Sequence, residues 1–128
     1  MDDLDEITQI ALFESRTLLE ESERLISKGV SKAGTVAELF QRIHTVKSNM
    51  AAIPGSKSIS LLLQNLETIL SNLRNQKREI DEKHVDLFLK PIELALSLLE
   101  ILSQGKADAS LEKEIFHCVS ALRLKLPK

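Results

Sequence analysis

The stretch ISLLLQNLETILSNL, residues 59–73, places Ile59, Leu62, Leu63, Leu66, Ile69, Leu70 and Leu73 at intervals of three and four. That spacing is the period of an α-helix with one apolar seam, and it is incompatible with a strand, whose faces alternate every second residue. The same period recurs along most of the chain. Leu4, Ile7, Ala11, Leu18, Ser22 and Leu25 fall close to one face of a first helix running to about Lys28, where SKGVSKAG breaks it. Val36, Leu39, Ile43, Val46 and Met50 form a second stripe. Thr35 and Glu38 open it in a capping-box pattern, and Pro54-Gly55-Ser56 closes it. Beyond polar residues 74–79, Asp81 opens a fourth helix that carries Val85, Phe88, Ile92, Ala95, Leu99 and Leu102 and ends at Gly105. Pro91 inside that pattern predicts a kink or two abutting helices. Ser110 is placed to cap a last helix through Leu111, Ile115, Val119 and Leu122.

No run of alternating Val, Ile and Thr competes with this reading, and no Asn-Gly or Asp-Gly turn joins apolar segments. The expected fold is all-α: an antiparallel up-and-down bundle of about five helices with short connections, forming a single domain over residues 1–128.

Composition narrows the function. With 43% hydrophobic and 28% charged residues the chain can bury a core and is too apolar to be disordered. A net charge of −2, no Trp or Tyr and four Phe offer neither the basic face nor the stacking platform of a nucleic-acid binder. The acidic start MDDLDEITQI is unlike a signal peptide, and the apolar runs are too short to span a membrane. Cys118, the one cysteine, makes no internal disulfide and reads as an inert helix residue. A cytoplasmic setting is the expectation.

Of the three histidines, His84 and His117 follow carboxylates in Asp81-x-x-His84 and Glu114-x-x-His117, an imitation of di-iron bundle pairs. About 22 and 11 residues from a turn near Lys106, they differ in height by roughly 16 Å, so no metal site is expected to join them. The same arithmetic across the turn at Gly55 brings His44 and Glu67 to within ~1.5 Å in height, with Lys47 and Gln64 level one turn below. His44, Lys47, Ser48 and Ala51 share one strip of the second helix, and Ser60, Gln64, Glu67 and Ser71 share one strip of the third.

If the adjoining seams pack together, an imidazole, an ammonium, an amide and a carboxylate meet. A carboxylate holding one ring nitrogen fixes the tautomer and raises the basicity of the other, which becomes an oriented nucleophile. A lysine one turn away can neutralise a phosphoryl group. The other reading of the same residues is decoration: a tolerated histidine beside an apolar stripe, on a helical interaction module. No serine elbow and no phosphate-cradling glycine loop is present, so hydrolase chemistry and ATP binding have no candidate residues.

The segment LFQRIHTVKSNMAAIPG resembles the phospho-acceptor helix of histidine phosphotransfer (HPt) domains, whose signature is roughly A-H-x-x-K-G. It looks closest to the N-terminal phosphotransfer domain of the chemotaxis histidine kinase CheA. The likeness extends over LLQNLETIL, DLFLKPIELALSLLE and a terminal helix ending in ALRLKL. It implies that His44 is the phosphorylated residue, that Lys47 is the motif lysine and that Glu67 is the carboxylate bonded to the histidine. Gln64 falls where another polar group is common. The resemblance further implies two partners, an ATP-binding kinase domain and a response-regulator receiver domain, with ATP and Mg²⁺ belonging to the partners. The domain would then be no enzyme on its own. Ser48 and Asn49 stand where the family usually has Gly-Gly, which bears on how partners approach. A degenerate HPt fold that binds receivers without accepting phosphate is the related alternative.

Overall fold

The computed structural model describes residues 5–29, 34–107 and 112–125. Five α-helices account for most of them: α1 (Glu6–Gly29), α2 (Thr35–Asn49), α3 (Lys57–Asn75), α4 (Val85–Ser103) and α5 (Glu112–Lys125). Short 3₁₀ turns at Met50–Ala52 and Glu82–His84 lead out of α2 and into α4. Among the described residues there is no strand. Helices α1 to α4 pack in a ring, each against the next and α4 back against α1, while α5 lies on α3 and α4. Contacts running in opposite senses along α1 and α2 (Thr8 with Ala52, Asn49 with Glu14, Arg42 with Glu21) make that pair antiparallel.

The core is the convergence of the apolar seams. Val36, Leu39, Ile43 and Val46 of α2 meet Ile59, Leu62, Leu63, Leu66 and Leu70 of α3 and Phe88, Ile92, Ala95, Leu98 and Leu99 of α4, all buried. The buried side of α1 differs from the expected stripe. Ile7 is 70% exposed, while Ala11 and Ser22 of that stripe are buried together with Thr8, Leu12, Ser15, Leu19 and Ile26. Small hydroxyl residues recur every seventh position on that face and find acceptors, Thr8 in the Ala52 carbonyl across the α1–α2 contact and Ser22 in its own Leu18 carbonyl. A polar residue whose hydroxyl is bonded can be buried without large cost, and its small size lets two helices approach.

Helix ends also depart from expectation. Thr35 is the first residue of α2, and the cap position is Gly34, at φ 90°, with no side-chain cap bond. Glu79, from the segment after α3, supplies the cap instead: its carboxylate accepts from Val36 N at 2.9 Å and Gly34 N at 3.2 Å. A carboxylate suits the positive end of a helix wherever in the chain it originates. Pro91 is buried within an uninterrupted α4, so the chain does not split into two abutting helices there. Asp81 caps the 3₁₀ turn rather than α4 itself. Ser110 and Leu111 lie outside the described residues.

Two connections place the site. In the α2–α3 turn the buried Ser56 hydroxyl lies within hydrogen-bond distance of the Ile53 carbonyl (2.7 Å) and the Met50 carbonyl (3.0 Å). Gly55 sits at φ 77°, a left-handed conformation that favours glycine, and a Cβ there would make a tight contact 3.1 Å from Ala107 Cα. This tight return sets α3 antiparallel to α2 at a fixed register.

Candidate functional site

Ile43 and Val46 face the core from α2, which turns His44 and Lys47 onto its shoulder toward α3. Across from them Leu63, Leu66 and Leu70 hold α3 by its seam, so Gln64 and Glu67 rise beside the contact. The structure brings all four residues together. His44 Nδ1 bonds Glu67 Oε2. Lys47 Nζ donates to Glu67 Oε1 at 2.5 Å and to Gln64 Oε1 at 3.0 Å. Gln64 Nε2 in turn reaches Thr68 Oγ1 at 3.4 Å.

Glu67 is the hub. Its side chain is 11% exposed, and each carboxylate oxygen has its own donor. Burial pushes its carboxyl pKa up, but the hydrogen bonds and charges of Lys47 and His44 together outweigh burial and hold it below the ordinary value. An ionised carboxylate only accepts, so the shared proton resides on His44 Nδ1, and in the neutral imidazole Nε2 is then the nitrogen with the free lone pair. The His44 side chain is 53% exposed, and Nε2 makes no hydrogen bond among the described residues. Lys47 uses two of its three N–H groups on Gln64 and Glu67, and through Glu67 it shares a carboxylate with the imidazole.

Neighbouring residues shape the approach. Ser48 is exposed. Asn49 turns toward α1, donating to Glu14 Oε1 at 2.7 Å and Ser15 Oγ at 3.2 Å, so it clasps two helices instead of crowding the histidine. An open cavity of about 370 Å³ beside the imidazole is lined by Phe40, His44, Glu67, Thr68, Ser71 and Asn72. The Phe40 ring stacks on His44, with centroids 5.9 Å apart and planes within 10°, and the Arg74 guanidinium lies 4.0 Å from the Phe40 centroid. The sequence reading passed over both residues, although Phe40 stands four positions before His44 and is therefore its neighbour on the helix.

The remaining reactive side chains lie elsewhere. His84 is half-buried at the start of α4 and His117 is exposed on α5. Among the described residues no three of His, Cys, Asp and Glu gather as metal ligands. Cys118 is half-buried; burial is the main influence raising its thiol pKa, with Glu114 adding to it and Lys90 opposing.

The model of the Hpt domain family matches residues 6–116, most of the chain. The chain belongs to the Hpt domain family. Hpt domains are the histidine phosphotransfer modules of two-component signalling, working with kinases and response regulators, and the helical bundle described above is consistent with that membership. The matched span contains the whole His44–Lys47–Gln64–Glu67 cluster. No curated protein matches the chain. No helix among the described residues of this Hpt domain is long and apolar enough to cross a membrane.

Proposed function

We propose that this Hpt domain carries a phosphoryl group on His44 Nε2, taken from ATP on a kinase domain and passed to an aspartate of a response-regulator receiver domain. The observation that carries the proposal is the asymmetry of the imidazole: Nδ1 is committed to a buried carboxylate while the ring is half open to solvent. Nε2 attacks the γ-phosphorus along its in-plane lone pair. The N–P bond forms as the bond from phosphorus to the bridging oxygen breaks, and that bond's electron pair leaves with ADP.

Nε2 carries no proton in this tautomer, so no base is needed to expose it. The positive charge gained by the ring is shared through Nδ1–H with Glu67. The Lys47 ammonium, which shares the Glu67 carboxylate with His44, supplies positive charge that helps neutralise the arriving oxygens. In the second transfer the N–P bond breaks, a P–O bond forms to the receiver carboxylate, and His44 returns to its starting state.

ATP, Mg²⁺ and most of the catalysis belong to the partners in this scheme, so the domain is a substrate and carrier rather than an enzyme. The likeness of LFQRIHTVKSNMAAIPG to the CheA phospho-acceptor helix supports a CheA-like chemotaxis kinase, acting in the cytoplasm, as its setting. Incubation with the cognate kinase domain and ATP is expected to give acid-labile, base-stable labelling that His44→Gln abolishes and that His84→Gln and His117→Gln leave intact. Equal labelling of His44→Gln refutes the assignment.

A further inference from the structure

The hydrogen bond from Nδ1 to Glu67 anchors one atom of the imidazole, and one anchored atom does not orient a plane. The torsion that turns a histidine ring about its Cβ–Cγ bond has broad, shallow minima. The Nε2 lone pair lies in the ring plane, so a ring that tilts about the Glu67 bond swings its lone pair away from the line of attack. A second constraint is required, and open space on the cavity side of the imidazole does not provide it.

Phe40 does. Its ring lies parallel to the imidazole to within 10°, one helical turn away on the same face of α2. Phe40 is itself only partly buried and has the same loose ring torsion, so it needs a hold of its own. That hold is Arg74, whose guanidinium lies 4.0 Å from the Phe40 centroid, a cation–π distance. Glu67 and Arg74 are seven residues apart on α3 and so project from the same side. Helix α3 therefore grips the histidine twice, through Glu67 at Nδ1 and through Arg74 and Phe40 at the face of the ring.

We propose that Phe40 is a positioning residue for phosphoryl transfer, fixing the plane of the His44 imidazole and hence the direction of Nε2, with Arg74 holding Phe40 in place. The proposal rests on His44 being the phosphoryl acceptor and deepens that reading.

The test uses a donor that needs no partner protein. The full chain is treated with ammonium phosphoramidate, and phosphorylation at His44 is followed by ³¹P NMR and by mass spectrometry. His44 Nε2 displaces ammonia from phosphorus, the donor's P–N bond breaking as the new one forms. Phe40→Leu keeps apolar bulk but removes the planar face, and Phe40→Tyr restores the face. The Leu variant is expected to label about tenfold more slowly and the Tyr variant to recover to within about twofold, the scale on which lost orientation acts.

The spectroscopic partner of this result is the ring-current shift on the His44 Hδ2 and Hε1 protons. It should vanish in Phe40→Leu and persist in Phe40→Tyr. Parental labelling rates in Phe40→Leu, or slow rates that Phe40→Tyr does not restore, overturn the proposal. If Phe40→Leu fails to fold, Arg74→Gln at an exposed position decides. Slower labelling with a weakened ring-current shift supports the proposal, and no change in either overturns it. A parental protein that takes no phosphoryl group at His44 refutes the proposed function first, and this inference with it. His44 labelling that is normal and indifferent to Phe40 refutes only the inference.

Discussion

Replacing Glu67 is the sharpest perturbation of the site. Glu67→Ala removes the acceptor of two hydrogen bonds, from His44 Nδ1 and from Lys47 Nζ, and leaves Lys47 with Gln64 alone. The imidazole then chooses its tautomer freely, so part of the population carries its proton on Nε2 and cannot attack. Loss of an orienting partner behind a histidine costs roughly 10–100-fold where such partners support metal ligands, and the same range is expected here for the phosphorylation rate. At 1.36 kcal/mol per tenfold that is about 1.4–2.7 kcal/mol in the barrier.

The fold should tolerate the change. The core seams lie beneath the site, His44 is half exposed, and the Lys47 ammonium keeps Gln64 and gains water. Initial rates of labelling by a kinase domain at saturating ATP, read beside a thermal unfolding curve, separate the two effects. Glu67→Gln refines the test, because its amide can accept from His44 only by turning its NH₂ toward the Lys47 ammonium. It should therefore restore little of the rate. A Glu67→Ala protein that unfolds normally and labels at the parental rate refutes the argument that Glu67 sets the tautomer.

Further outcomes follow from the same geometry. Lys47→Ala should slow labelling by about tenfold, since it removes both a partner of the Glu67 carboxylate and a positive charge that helps neutralise the incoming oxygens; initial-rate measurements check it. Glu67 has a pKa below its ordinary value of 4.5, so its contribution to stability is complete above that pH and is lost as pH falls through the lower folded value. Acid titration of the unfolding temperature should show that loss in the parental protein and less of it in Glu67→Gln. Lys77, exposed and at φ 57°, occupies the left-handed position after α3, where Lys77 N bonds Arg74 O and Arg78 N bonds Leu73 O. Lys77→Gly should relieve that conformation and stabilise the fold by about 0.5–1 kcal/mol in chemical denaturation, the residual of a larger backbone gain after glycine's entropy cost. Glu79→Ala should destabilise by about 1 kcal/mol in the same assay, by leaving the first N–H groups of α2 uncapped.

The periodic Leu and Ile positions by themselves determined the helices and their order. A seam such as Ile59–Leu73 has one way to leave water, and that way needs a helix whatever it packs against. The turn at Pro54-Gly55-Ser56 was equally local, and counting residues from it brought His44, Lys47, Gln64 and Glu67 to matching heights before any contact was known. Local chemistry could not specify which partner each side chain meets. The sequence placed Ile7 in the core and Thr35 at a cap, because an apolar residue and a capping box are local signs. The structure exposes Ile7, buries Thr8 and Ser15 instead, and caps α2 with Glu79. Those choices depend on how closely α1 approaches its neighbours and on a carboxylate more than forty positions away along the chain. The Arg74–Phe40–His44 stack belongs to the same class, since the period of a helix sets height and face, whereas ring planes and hydrogen-bond partners are settled only when two helices pack.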